Sequence, residues 1–295
     1  EEFSLSRRTA TLIGFTAVLM WAFLALFTSA SGSVPPFQLA AMSFFIGGLM
    51  GAATWVFRPA ALATLRHQDP RLWALGIASL FGYHFIYFTA IRNAPPVEVS
   101  LIAYLWPLFL VVFSAFLPGE KLKAHHILGV VLGLIGAVMV ITRGHGFGLS
   151  EGLKLGHVLA VPCAIIWAGY SVLARRFGHV PTDVVSGFCL AAALLSLGSH
   201  LLFEQTVWPQ NAIEWLAVAG LGLLPLGAAF YTWDYGLKHG DIMVLGASSY
   251  AAPLLSTLVL LSFGYAEFHW SIAVACLLIS AGAVIAAKDM IFRKC

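Results

Sequence analysis

Tyr104-Leu105-Trp106-Pro107-Leu108 returns 146 residues later as Tyr250-Ala251-Ala252-Pro253-Leu254. The same offset carries Trp21-Ala22 onto Trp167-Ala168, Pro35 onto Pro181, Leu75-Gly76 onto Leu221-Gly222, and Gly136-Ala137-Val138 onto Gly282-Ala283-Val284. One constant shift through separated places, with tryptophan on tryptophan and proline on proline, exceeds what shared hydrophobicity produces. It marks an internal duplication of about half the chain.

Composition sets the solvent in which the duplicated unit folds. With 60% hydrophobic residues, 10% charged residues and a mean hydropathy of +0.90, the chain has too little polar surface to cover a soluble globule. Apolar runs of the roughly 20 residues needed to cross a bilayer core recur ten times, at about 9–31, 35–57, 71–92, 96–117, 124–142, 154–177, 182–203, 212–237, 241–263 and 269–287. Segments of alternating polarity are absent, so the pattern predicts a helical bundle rather than a barrel. The expected fold class is an all-α polytopic membrane protein.

The first run, followed by Thr28-Ser29-Ala30-Ser31-Gly32, has the outline of a cleavable signal peptide. Its Trp21 aligns with Trp167 inside the sixth run, so it belongs to the duplication. When Lys and Arg are assigned to alternate sides, 13 fall on one side and only Arg92, Arg143 and Lys154 on the other. This bias predicts cytoplasmic N- and C-termini. The net charge of +3 is not gathered into a patch that would hold nucleic acid. Cys163, Cys189 and Cys276 lie inside apolar runs, Cys295 ends the chain, and no Cys/His spacing suits a metal. No cofactor is expected.

Five spans per copy is an odd number, so the second copy enters the membrane from the opposite side. The predicted organisation is an N-terminal segment 1–8, a five-helix repeat 9–147, an inverted five-helix repeat 148–288, and a tail 289–295. Inverted repeats commonly place a transport site at mid-depth between them.

Matched prolines in the fourth helix of each copy (Pro107, Pro253), a Glu just after it (Glu120, Glu267), and a glycine-rich fifth helix (Gly129, Gly133, Gly136; Gly282) resemble the EamA-type members of the drug/metabolite transporter superfamily. The mid-membrane stretches Gly82-Tyr83-His84 and Tyr104-Leu105-Trp106-Pro107 are similar to those of the aromatic amino-acid exporters of the YddG type. The resemblance implies a transporter of a bacterial-type inner (plasma) membrane, not an enzyme. An enzyme would also need a catalytic constellation, and no HExxH, central carboxylate pair or Ser/His/Asp set is visible.

The residues themselves nominate a site. Proline inside a helix removes an amide donor and clashes with the carbonyl four residues earlier, so Pro107 and Pro253 are expected to kink their helices and serve as hinges. Trp21, Trp167, Tyr83, Tyr87, Tyr104, Trp106 and Tyr250 fall well inside their runs, where the interfacial role of aromatic residues does not apply. A hydrated central cavity would satisfy their hydroxyl and indole groups together. His84 falls near the bilayer centre, either as a neutral ring donating to a carbonyl or as a protonatable group linked to transport. Its mate under the offset is Phe230.

Glu120 and Glu267 are expected to be structural, complementing the N-terminal dipoles of the fifth and tenth helices, and Asp234 to pair with Lys238 one turn on. The small residues of the fifth and tenth helices suit close packing, with a monomer favoured over a homodimer. The resulting expectation is alternating-access transport, as an exporter, of aromatic or other apolar amino acids. A drug or nucleotide-sugar transporter and a passive channel are the competing readings.

Overall fold

Without water to satisfy backbone N–H and C=O groups, an apolar run in a bilayer closes its hydrogen bonds on itself, and most of the described residues of this chain are accordingly helical. The computed structural model describes residues 6–145, 152–265 and 267–289. Its helices are α1 (Arg7–Trp21), α2 (Leu24–Ala30), α3 (Pro36–Ala52), α4 (Pro59–Arg66), α5 (Pro70–Arg92), α6 (Pro96–Ala103), α7 (Trp106–Ser114), α8 (Ala124–Ile141), α9 (Leu155–Ala174), α10 (Val184–Phe203), α11 (Ala212–Leu223), α12 (Ala229–His239), α13 (Ile242–Ser248), α14 (Ala251–Ser262) and α15 (Trp270–Ala286). No strand occurs among the described residues.

Among the described residues, eight helical stretches are long and apolar enough to cross a membrane: Arg7–Ala30, Pro36–Val56, Pro70–Arg92, Ala124–Ile141, Leu155–Phe177, Val184–Phe203, Ala212–His239 and Ile242–Ser262. The fourth and tenth runs form shorter apolar helices, Glu98–Ser114 and Trp270–Ala286. The expected boundaries 147 and 148, residues 1–5 of the N-terminal segment and residues 290–295 of the tail lie outside the described residues.

The prolines do more than kink their helices, which corrects the sequence reading. The chain leaves the helix at Tyr104-Leu105 and restarts at Trp106, so Pro107 is the second residue of α7; likewise it leaves at Ser249-Tyr250 and restarts at Ala251, with Pro253 third in α14. The break falls two to three residues ahead of Pro107 and three to four ahead of Pro253, next to the carbonyl four residues back that the ring would strike. Two further breaks had no sequence expectation. The stretch Arg7–Ala30 is interrupted at Ala22-Phe23, and the eighth apolar run, Ala212–His239, passes through a π-helical segment, Leu224–Ala228, containing Pro225.

The principal packing pairs are α8 with α15, α3 with α10, α1 with α12, and α5 with α9. Adding or subtracting 146 exchanges the last two pairs and returns each of the first two to itself. Close approach is built from small residues. A Cβ on Gly14 of α1 would lie 2.9 Å from the Gly236 Cα of α12. The positions related to these by the offset, Ala160 and Ala90, are both fully buried.

The two helix-start carboxylates also require correction. Glu120 sits ahead of α8 and pairs with arginines, while the start of α8 is capped by His126, whose Nδ1 accepts the Lys123 N–H at 3.2 Å. Glu267 is exposed, and His269 is the residue capping α15, accepting from the Ser271 N–H. Glu120, four residues before the helix, is free to seek a stronger partner than the helix dipole. Asp234 and Lys238 do pair as expected, at 2.7 Å with both side chains buried.

Candidate functional site

Trp21 closes α1 at the first-span break and turns its ring into the centre of the bundle. There it meets Trp106 (6.3 Å between ring centroids), Trp167 (6.0 Å) and Trp233 (5.2 Å). Trp106 also meets Trp167 at 6.4 Å and Trp233 at 5.8 Å, both edge-on. Edge-to-face pairs set the positive rim of one ring against the negative face of another and contribute about 0.5–1.5 kcal/mol each beyond burial. Two of the indole donors have partners within the cluster's surroundings. Trp21 Nε1 donates to the Pro225 carbonyl at 3.1 Å, in the π-helical segment, and Trp233 Nε1 donates to Ser171 Oγ at 3.3 Å.

Trp106, Trp167 and Trp233 are buried, whereas Tyr83, His84, Tyr87 and Tyr104 are half-buried. The tryptophans therefore form a floor and the tyrosines and histidine a rim. Tyr83 contacts Trp167 at 6.0 Å and stacks on Tyr87, one turn on, at 5.8 Å. The Tyr87 hydroxyl shares a 2.9 Å hydrogen bond with Ser100 Oγ of α6. His84 packs edge-on to Phe44 at 5.0 Å and lies 2.7 Å through Nδ1 from the Leu80 carbonyl. A carbonyl only accepts, so Nδ1 carries the hydrogen and Nε2 of the neutral ring is left as an acceptor.

Tyr250 stands apart from the tryptophans. It is fully buried among Val111, Val130, Ala137, Ala247 and Ala286, with Tyr104 packed against that cluster. Of the rim and floor residues, sequence reasoning missed Trp233, Phe44 and the wall role of Phe230, which lies 5.7 Å from Trp167 and stacks on Phe44 at 6.0 Å. A usable signal existed, because the 146-residue offset places Trp233 on Tyr87 and Phe230 on His84.

Polar clusters tie the bundle at both ends. At one end Arg7 bridges Glu120 (3.0 Å) and Asp241 (3.1 Å), while Arg175 reaches Glu120 (2.9 Å) and the carbonyls of Leu237 (2.8 Å) and Gly240 (2.6 Å). At the other, Glu204 accepts the Phe37 and Gln38 amides at the start of α3, each at 3.1 Å, and pairs with Arg92 at 2.8 Å. Glu98 there meets His157 at 2.7 Å, both buried.

His125, His126 and Asp289 bring potential metal-ligand atoms within 4.8 Å of one another. Yet His126 Nδ1 is committed to its cap, and the Lys123 ammonium rests on Asp289, which reads as a helix-end ion cluster. That ammonium holds the Asp289 carboxyl below the ordinary carboxylate range.

The EamA-like transporter family model matches residues 8–142 and again 154–287. The chain is 53% identical to the aromatic amino acid exporter YddG of Ancylobacter novellus over 96% of its own length and 98% of that protein's. It is 26% identical to the aromatic amino acid exporter YddG of Escherichia coli, covering 86% of this chain and 88% of that one. A crystal structure 52% identical in sequence superposes with a TM-score of 0.90, covering 96% of this chain and 98% of the other. These relatives are transporters rather than enzymes, and together with the apolar helices they make this a multi-pass protein of the bacterial inner membrane. The chain belongs to the EamA-like transporter family, within the drug/metabolite transporter superfamily.

Proposed function

We propose that this protein exports aromatic and other apolar amino acids by alternating access, with the tryptophan floor and tyrosine rim as the substrate-binding surface. The observation that carries the reading is the cluster itself. Trp21, Trp106, Trp167 and Trp233, drawn from both halves of the chain, converge where the first, fourth and eighth apolar runs are broken. Aromatic faces suit an apolar side chain. The hydroxyls of Tyr83, Tyr87 and Tyr104 and the His84 Nε2 offer hydrogen bonds to a zwitterionic backbone, and the similarity to two YddG exporters points to the same solutes.

The reading includes ten spans in two inverted repeats, 9–147 and 148–288, with both termini cytoplasmic. Two separate family matches and contacts exchanged by the 146-residue offset support the repeats. One reciprocal contact is specific. Arg58, at the end of the second span, pairs with Asp183 at the start of the seventh; their offset positions, Glu204 and Phe37, meet at the opposite ends of the same two helices. The breaks ahead of Pro107 and Pro253, at matched positions, serve as the hinges.

Uptake of labelled phenylalanine and tryptophan into proteoliposomes tests this. The intact protein is expected to transport both, and His84→Ala and Trp106→Ala to lose most of the flux. Full activity in both variants would reject the site, and no aromatic uptake by the intact protein would reject the substrate class.

A further inference from the structure

At the end of α3 a cavity of about 350 Å³ opens between α3, α10 and α12, bordered by Gly51, Thr54, Arg58, Asp183 and Tyr231. None of the aromatic site residues borders it, and transport as described above does not use it. We infer that this cavity binds the headgroup of a zwitterionic membrane lipid, a phosphoethanolamine, with the phosphate on Arg58 and the ammonium on Asp183.

The two charges are set side by side and held in place. Arg58 Nη2 donates to Asp183 Oδ1 at 2.8 Å and to the Thr54 hydroxyl at 2.7 Å, and that hydroxyl donates in turn to the Gly51 carbonyl at 2.7 Å. Both bonds of the guanidinium use one nitrogen, so its Nε and Nη1 hydrogens can meet phosphate oxygens, the geometry in which arginine recognises phosphate. Asp183 uses Oδ1 for Arg58, and Oδ2 can accept from an ammonium. The Tyr231 hydroxyl is already shared with Ser186 Oγ and the Gly47 carbonyl, both at 2.9 Å, so its ring acts as a fixed wall.

Two observations make the occupant a lipid rather than a free solute. The cavity lies at the end of a spanning helix, and between Thr54 and Arg58 the chain exposes Val56 and Phe57, 79% and 88% accessible. These are positions that acyl chains cover, while arginine reaches to the headgroup layer. The offset-related place is also filled from within the protein. Glu204, the mate of Arg58, lies on the amides that begin α3. One end of the α3/α10 pair is thus closed by a carboxylate on backbone amides, whereas the other is closed by the Arg58–Asp183 ion pair, and both of its members line the cavity.

Native mass spectrometry of the detergent-purified protein, titrated with phosphatidylethanolamine, its N-methylated forms and phosphatidylcholine, tests the inference without mutation. Each methyl removes a donor to Asp183, so retention is expected to fall stepwise, by about tenfold between the first lipid and the last, a difference of about 1.4 kcal/mol. Arg58→Ala and Asp183→Asn, each confirmed monodisperse, are expected to lose that preference. Equal retention of the ethanolamine and choline lipids, or an unchanged preference in both variants, overturns it. Displacement of the ethanolamine lipid by millimolar phenylalanine also overturns it, by making the cavity a free amino-acid site.

Discussion

Trp21 and Trp167 meet edge to face, 6.0 Å apart and inclined by 71°, at the centre of the bundle. They are the same residue of the duplicated unit, so the two copies touch there through identical positions. Everything placed around this contact, Trp106 and Tyr83 from one half and Trp233 and Phe230 from the other, differs between the copies.

Trp21→Phe keeps an aromatic ring at this contact but removes the donor to the Pro225 carbonyl. A cost of about 1 kcal/mol is expected, seen as a lower melting temperature in detergent, with transport retained at reduced rate. Trp21→Ala removes the ring as well and is expected to abolish phenylalanine uptake.

Lys238→Met leaves the Asp234 carboxylate buried without its paired ammonium, while the Thr182 hydroxyl remains at 2.8 Å. Removing one partner of a buried pair costs about 3–5 kcal/mol. Replacing both, Asp234→Leu with Lys238→Met, is expected to be milder. Thermal unfolding of the three proteins compares them, and a double variant as damaged as the single one would contradict this account.

Glu120 is the acceptor shared by Arg7 and Arg175, so Glu120→Gln loosens that end of the bundle. Thr11 lies buried beneath it, its hydroxyl accepting the Asp241 amide at 2.8 Å. A Thr11→Cys reporter is expected to react with a water-soluble maleimide several times faster when Glu120→Gln is also present. Equal rates would mean that the ion cluster does not hold this end closed.

Gly236→Val places a branched side chain where α12 meets the Gly14 backbone of α1. Overpacking of this kind costs about 1–3 kcal/mol and separates the helix that carries Trp21 from the one that carries Trp233. Both the melting temperature and tryptophan uptake are expected to fall, whereas Gly198→Ala, with open space around it, is expected to change neither.

Much of this was legible in the chain because it rests on local or periodic signals. Apolar run length decided the helical stretches to within a few residues, and the constant offset exposed the duplication. The pair Asp234 and Lys238, one helical turn apart, needed only helix geometry. Glu120 was misread because its partners, Arg7 and Arg175, are distant in sequence and only folding brings them within 3 Å. The breaks at Ala22-Phe23 and Leu224–Ala228 were missed for a related reason. An apolar run shows that a segment is helical on average, whereas an irregular turn survives in a membrane only where neighbours satisfy the freed backbone groups, as Trp21 does for Pro225.

By itself, then, the sequence determined the solvent of this protein, its helical class, its duplicated plan and the aromatic character of its centre, since each follows from composition or from spacing along one chain. Only the tertiary structure decided which aromatic residues share that centre, that Trp233 joins them while Tyr250 packs elsewhere, and which charges lock the two ends. Those outcomes depend on distances between segments remote from one another along the chain, and such distances are set by how the helices pack.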